Sequence, residues 1–184
     1  MAETYDAIVL AGGSARRLGG LDKPALVVGG MSLLARVLAA VADADRTVVV
    51  GPDRATSRPV SWVREDPPGG GPVAALAAGL ALVDAPVVAV LAADLPFLDA
   101  ATVRCLRDAL GSCDGALLVD ADGRDQLLIG MWRTGSLRAA LPAAVDGARL
   151  GAMLAGLDAV RVRVTGRPWF DCDTEDDLAA ARGN

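Results

Sequence analysis

No histidine occurs anywhere in the 184 residues. That removes the side chain most often used as a general base near neutral pH, and the commonest transition-metal ligand. Cysteine is sparse: Cys105, Cys113 and Cys172 form no CxxC pair. An odd, low count fits reduced thiols in a cytoplasm. No apolar run reaches the length of a membrane span, since the run from Val73 to Val83 stops at Asp84. The first residues, MAETYD, are acidic and carry no signal-peptide pattern. No basic tract marks a nucleic-acid surface, and no repeat or linker divides the chain. Hydrophobic residues make up 53% of the whole. These features predict one globular cytoplasmic domain over residues 1–184, with ample length for a core and neither membrane nor nucleic acid as a partner.

Lysine is almost absent too. The chain has 17 Arg and a single Lys, Lys23. That Lys ends a distinctive stretch, IVLAGGSARRLGGLDKP, over residues 8–24. Ile8, Val9, Leu10 and Ala11 read as the end of a buried strand. Gly12, Gly13, Gly19 and Gly20 then free the backbone to turn and leave its N–H groups open to an anion. Arg16, Arg17 and Lys23 put three cations close together in a chain of formal net charge −5. A local positive loop on an acidic protein points to a specific anionic ligand. A lone ammonium among so many guanidinium groups points the same way. It is a compact point charge that enters a narrow gap between phosphate oxygens, where a planar fork does not.

The loop contains neither GxxxxGK[ST] nor GxGxxG. It resembles the LAGGxxxRMGxxK signature of nucleotidyltransferases, here Leu10-Ala11-Gly12-Gly13-Ser14-Ala15-Arg16-Arg17-Leu18-Gly19-Gly20-Leu21-Asp22-Lys23. The doubled glycine before Asp22-Lys23 is most similar to the molybdenum cofactor guanylyltransferase branch, which joins GMP from GTP to molybdopterin. The resemblance runs the length of the chain and is densest in the first 25 residues. It implies Mg²⁺ as cofactor, GTP and molybdopterin or molybdenum cofactor as substrates, and other cofactor-biosynthesis proteins or molybdoenzymes as further partners. It also implies roles: Lys23, Arg17 and Asp94 in catalysis, with Leu10, Ala11, Gly12, Gly13, Lys23, Asp66, Gly71 and Asp94 around the nucleotide.

Downstream, Ser32 is a candidate cap for a helix through Leu33, Leu34, Val37, Leu38 and Val41. Thr47–Val50 and Ser61–Arg64 read as short strands. Glu65-Asp66-Pro67-Pro68-Gly69-Gly70-Gly71-Pro72 is a second glycine-rich loop, and residues 73–82 read as an Ala-rich helix. Pro86 to Ala93 is a nearly continuous apolar strand, as in the middle of a parallel sheet. Residues 100–110 are helical. Strands at 116–119 and 127–132 flank the turn Asp122-Gly123-Arg124. Thr134 and Ser136 are candidate caps for a short helix, and residues 150–157 read as another. Val160, Val162 and Val164 alternate with Arg161 and Arg163, as in a strand with one wet face. Thr174-Glu175-Asp176-Asp177 is a capping-box-like start for the last helix. Alternating strands and helices predict an α/β three-layer sandwich with a mostly parallel sheet, a Rossmann-like nucleotidyltransferase fold, with ligands at the carboxyl ends of strands.

Nucleotidyl transfer to a phosphate suits a chain without His. The acceptor is already ionised, so positioning and charge neutralisation remain: backbone donors, cations, and Mg²⁺ held by carboxylates. Asp94 ends an apolar strand, where an unpartnered carboxylate is costly. It is the first choice for metal, with Asp99 as its rival for the following helix cap. The resemblance aligns Ala93-Asp94-Leu95-Pro96 with a C/A-D-x-P segment that binds Mg²⁺ and nucleotide. It also brings Asp173 toward the metal, with helix capping as the other reading. The branch often shows N-x-N-T-P there, and this chain has Asp171-Cys172-Asp173-Thr174-Glu175. Asp66 and Gly71-Pro72 match a D…GP[LV]xG segment that contacts base and ribose, although Ala75 stands where that pattern has Gly. Gly51 stands where relatives carry a guanine-reading Asn. Asp66 is either a reader of guanine or a cap for its own loop. Rival readings are a CTP-using enzyme on the same cofactor, a phospholactate guanylyltransferase, and a nucleotide-binding regulator without turnover.

Overall fold

The computed structural model describes residues 3–12, 22–172 and 174–182. Within them the chain alternates strands and helices: β1 (Tyr5–Leu10), β2 (Val27–Val28), β3 (Met31–Ser32), α1 (Leu33–Ala40), β4 (Thr47–Val50), β5 (Ser61–Val63), α2 (Gly71–Leu80), β6 (Val87–Ala92), α3 (Ala100–Ala109), β7 (Gly115–Val119), β8 (Asp125–Arg133), α4 (Thr134–Ala140), α5 (Leu150–Leu154), β9 (Ala159–Val162) and α6 (Glu175–Arg182). A 3-10 turn over Lys23–Ala25 precedes β2.

The continuous apolar runs become central strands. β1 and β4 are buried throughout, because helices cover both faces of the sheet. Side chains alternate between the two cores. Tyr5, Ala7 and Val9 of β1 join Leu34, Val37 and Leu38 of α1 and Val103 and Leu106 of α3. Ile8 and Leu10 join Leu76 and Leu80 of α2, Leu137 of α4 and Met153 of α5. Each such aliphatic side chain contributes about 1.5–3 kcal/mol when fully withdrawn from water. This is the three-layer α/β sandwich expected from the sequence.

The seven-stranded sheet has the order β5-β4-β1-β6-β8-β7-β9. All neighbours run parallel except that β8 is antiparallel to both β6 and β7. From β1 the chain steps outward to β4 and β5 on one side and reaches β6 on the other. The crevice beyond the carboxyl ends of β1 and β6 is therefore a switch point, where open α/β sheets bind ligands. Ala93 N–H donates to Leu10 O at 3.1 Å, joining the two strand exits.

Two glycines shape the far half of the sheet. A Cβ on Gly115 would lie 2.2 Å from Cε3 of Trp132, and one on Gly130 2.5 Å from its Nε1. The indole, only 1% exposed, occupies the slot that the two glycines leave.

Helix starts follow their caps. Ser32 Oγ accepts from Ala35 N–H at 3.2 Å, and Asp99 Oδ1 accepts from Thr102 N–H at 2.8 Å. Thr174 and Asp177 cap each other reciprocally at 3.1 and 2.8 Å, as the capping-box pattern predicts. Thr134 and Ser136 depart from the expectation, since α4 has no side-chain cap. Thr134 donates its hydroxyl to Ala85 O at 2.7 Å and Ser136 to Asp114 Oδ1 at 2.6 Å, so both serve long-range ties. The hairpin β2–β3 turns on Gly29 and Gly30, both at positive φ, and is not among the strands that the apolar pattern predicts.

Candidate active site

The carboxyl edge of the sheet assembles the site from segments far apart in sequence. Leu10 ends β1, Ala11 is buried at 3%, and Gly12 is exposed. Ala11 N–H donates to Val50 O at 2.8 Å, so the exit of β1 is tied to β4 as well as to β6. Gly51 closes on this exit. A Cβ there would lie 2.8 Å from Ala11 C and O, at a φ of +146°. The position admits glycine and no side chain in this arrangement, which accounts physically for the absence of an Asn there.

Lys23 starts the 3-10 turn and is half-buried. Asp94 lies two residues beyond β6 and is likewise half-buried. The capping role that competed for it belongs to Asp99, which accepts from both the N–H and the hydroxyl of Thr102 at 2.8 Å. Asp94 is held from the C-terminal segment instead, its carbonyl accepting from Cys172 N–H at 3.3 Å. Cys172 is fully buried in a small cluster with Val28, Leu33, Leu178 and Ala181. Burial pushes its thiol up to about 11, helped by the negative charges of Asp94, Asp177 and Asp171 and opposed by Lys23. One buried sulfur thus senses four charged groups. Lys23, Asp94 and Asp171 thus all bear on this one thiol, whose own backbone is tied to Asp94.

Asp66 and Gly71 lie on the β5 side of the crevice. Asp66 is exposed and precedes a cis peptide bond to Pro67. Gly71 opens α2 with a φ of +87°. Their loop reaches the β1 exit through Glu65. A Cβ on Gly12 would lie 4.0 Å from Glu65 Oε1, and the same oxygen accepts from Gly69 N–H at 3.1 Å. Gly13, Arg17 and Asp173 lie outside the described residues.

Sequence reasoning missed three features of this edge. Glu65 stands beside the more conspicuous Asp66. Arg54 grips Asp22 with two hydrogen bonds, Nε to Oδ2 at 2.7 Å and Nη2 to Oδ1 at 2.5 Å. Arg167 sets its guanidinium against both Phe97 and Phe170, 5.4 and 5.2 Å from ring centroids that are themselves 5.7 Å apart. No periodicity announces such pairs; only the scarcity of aromatics singles out Phe97 and Phe170.

The donor set near Asp94 is one of hard oxygens, suited to Mg²⁺. Among the described residues no group of three or more carboxylates or cysteines could enclose a metal by itself.

A doubly wound α/β sheet whose crevice opens between β1 and β6 defines a class of nucleotide-handling protein. The particular family follows from the match of residues 7–162 to the MobA-like NTP transferase domain: the chain belongs to this family of nucleotidyltransferases. It is 43% identical over 89 residues to a Synechococcus elongatus protein named "Probable molybdenum cofactor guanylyltransferase", covering 44% of this chain and 45% of that one. It is 41% identical over 78 residues to the molybdenum cofactor guanylyltransferase of Bradyrhizobium sp. ORS 278, covering 40% and 37%. The matches thus span less than half the length of these curated relatives. The fold is shared with the molybdopterin-guanine dinucleotide biosynthesis protein A of Archaeoglobus fulgidus, with a TM-score of 0.73 at 21% identity over 97% of each chain.

Proposed function

We propose that this chain transfers GMP from GTP to the phosphate of molybdopterin or the molybdenum cofactor, releasing pyrophosphate, with Mg²⁺ as cofactor. The observation that carries the reading is the place of Asp94, which follows the Ala93–Leu10 hydrogen bond at the exit of β1 and is tied through its carbonyl to Cys172, a residue whose thiol Lys23 and Asp171 also influence. Its chemistry is positioning and charge neutralisation, so the lack of His is no obstacle. Lys23 would offset charge on the nucleotide's phosphates. Gly12, exposed at the exit of β1, would offer its N–H to the same oxygens. Asp94 would hold the metal, with Asp173 as the second candidate that the sequence offers. Bound Mg²⁺ neutralises phosphate charge and polarises the phosphorus under attack. The relatives' names support the acceptor assignment. The reading extends to a single cytoplasmic domain, working with other proteins of cofactor biosynthesis or with the molybdoenzymes that receive the product.

Gly51 favours a second reading. With no side chain after β4 to read guanine, a CTP-using enzyme on the same acceptor fits the same crevice. The deciding measurement is the rate of pyrophosphate release from GTP, CTP, ATP and UTP, with and without molybdopterin. GTP should be fastest, and only with the acceptor present. A base that leaves a buried polar group unpaired loses about 1–3 kcal/mol per group. Equal or faster turnover with CTP moves the chain to the second reading, and no release from any nucleotide removes both.

A further inference from the structure

Both ends of the glycine-rich stretch are tied to one turn, the residues that follow β4. On the entering side, Ala11 donates to Val50 O at 2.8 Å and Gly51 packs against the Ala11–Gly12 backbone. On the leaving side, Arg54 holds Asp22 in a two-pronged contact at 2.7 and 2.5 Å. The remaining guanidinium nitrogen, Nη1, donates to Pro52 O at 2.8 Å, so the fork is braced on its own turn. The Arg54 side chain is only 15% exposed, whereas that of Asp22 is 49% exposed. Asp22 immediately precedes Lys23. Its carbonyl accepts from Ala25 N–H at 3.0 Å, so the 3-10 turn carrying Lys23 begins at the gripped residue.

We propose that Arg54 is a positioning residue for the nucleotide's phosphates: by gripping Asp22 it fixes the turn that carries Lys23, and so sets where the ammonium stands relative to Asp94. The inference rests on the nucleotidyl-transfer reading above and adds to it a residue that acts through another. A two-pronged guanidinium–carboxylate pair fixes direction as well as distance, which a lysine at position 54 cannot do. The Arg54 hydrogen bonds hold the Asp22 carboxyl below the usual carboxylate range, so the pair stays charged at neutral pH. Each of the three Arg54 nitrogens already donates within the protein, which favours a supporting role over direct contact with substrate. The pair is partly exposed, and its contribution to folding is correspondingly small. What it gives instead is placement, to which phosphate chemistry is sensitive at the scale of about 1 Å.

The test compares wild type with Arg54→Lys, Asp22→Asn, and the exchanged pair Arg54→Asp with Asp22→Arg. It reads pyrophosphate release at varied GTP, calorimetric binding of GTP with Mg²⁺, and thermal melts. Both single variants should raise KM for GTP about tenfold, leave KM for the acceptor unchanged, and melt close to wild type. The exchanged pair should recover much of the loss. Unchanged KM and Kd for GTP in both single variants would overturn the proposal. So would a loss that follows the melting temperature and is not recovered by the exchange. If wild type releases no pyrophosphate, the transfer reading fails, and GTP binding then decides the role of Arg54: weaker binding in both variants supports it, and equal binding refutes it. Absence of both turnover and GTP binding in wild type ends both readings.

Discussion

Asp94 and Asp99 stand five residues apart, and the structure divides two jobs between them. Asp99 caps α3 through Thr102, so the one cap for which Asp94 was the rival candidate is taken. Asp94→Asn should therefore abolish GTP-dependent turnover while the melting curve stays put, since Asn keeps the size and removes the charge that offsets a dication. A stable and fully active variant would remove Asp94 from the metal assignment. A similar division explains the arginines. Arg58 donates to Leu38 O and Val41 O at the end of α1, Arg138 donates to Leu80 O and Val83 O at the end of α2, and Arg161 grips Asp125 at 2.8 and 2.9 Å. These contacts exploit several donors on one head group, as an ammonium does less well. Lys23, the exception, starts the 3-10 turn and acts electrostatically on the Cys172 thiol. Lys23→Arg should cut kcat/KM for GTP on the order of a hundredfold despite the retained charge, in line with the loss of one aligned charge-stabilising donor. Near-wild-type kinetics would refute the point-charge argument.

Strands that lie between helices were legible because their composition is uniform. Val87–Ala92 is buried almost end to end and reads as an unbroken apolar run. The place of β8 was not legible: the short turn linking it to β7 makes that pair antiparallel, but nothing in its residues says that it also lies against β6 in an otherwise parallel sheet. That turn is built by Asp120, whose Oδ1 accepts from the N–H groups of Asp122 and Arg124 at 2.9 Å. The site was half legible. Asp94 and Lys23 stood out by composition and strand exit, whereas the Arg54–Asp22 grip spans 32 residues and leaves no local trace. The same holds for Trp132 against Gly115 on the neighbouring strand. Gly115→Ala would push a methyl to 2.2 Å from the indole. Overpacking of this kind costs about 1–3 kcal/mol, and roughly 2–4 °C of melting temperature for each kcal/mol. Calorimetry should find that drop with GTP turnover at low temperature largely kept; an unchanged Tm would mean the slot yields.

The molecule as a whole is acidic, with a formal net charge of −5, yet two of its buried acids titrate late. The Cys172 thiol is pushed from 9.0 up to about 11, chiefly by burial. The Tyr5 hydroxyl is raised by burial and by its hydrogen bond to Asp43. Both groups hold their proton longer in the folded chain than in the unfolded one. Their contribution is therefore complete below the unfolded values and is lost as pH rises through the folded ones. For Cys172 that window runs from 9.0 to about 11. The urea midpoint should fall across it, and Cys172→Ala should flatten the part below about 10, where Tyr5 begins to contribute. Identical declines in both proteins would refute the assignment to Cys172. Trp132 lies sealed between its glycines, while Trp62 is half-buried on β5 and Trp169 is half-buried two residues before Asp171. The chain should thus carry its own optics: Trp132 emitting at constant brightness in the interior, and the half-buried Trp62 and Trp169 as the emitters whose colour and quenching should change when a nucleotide arrives, so that substrate capture could be watched in real time without a label.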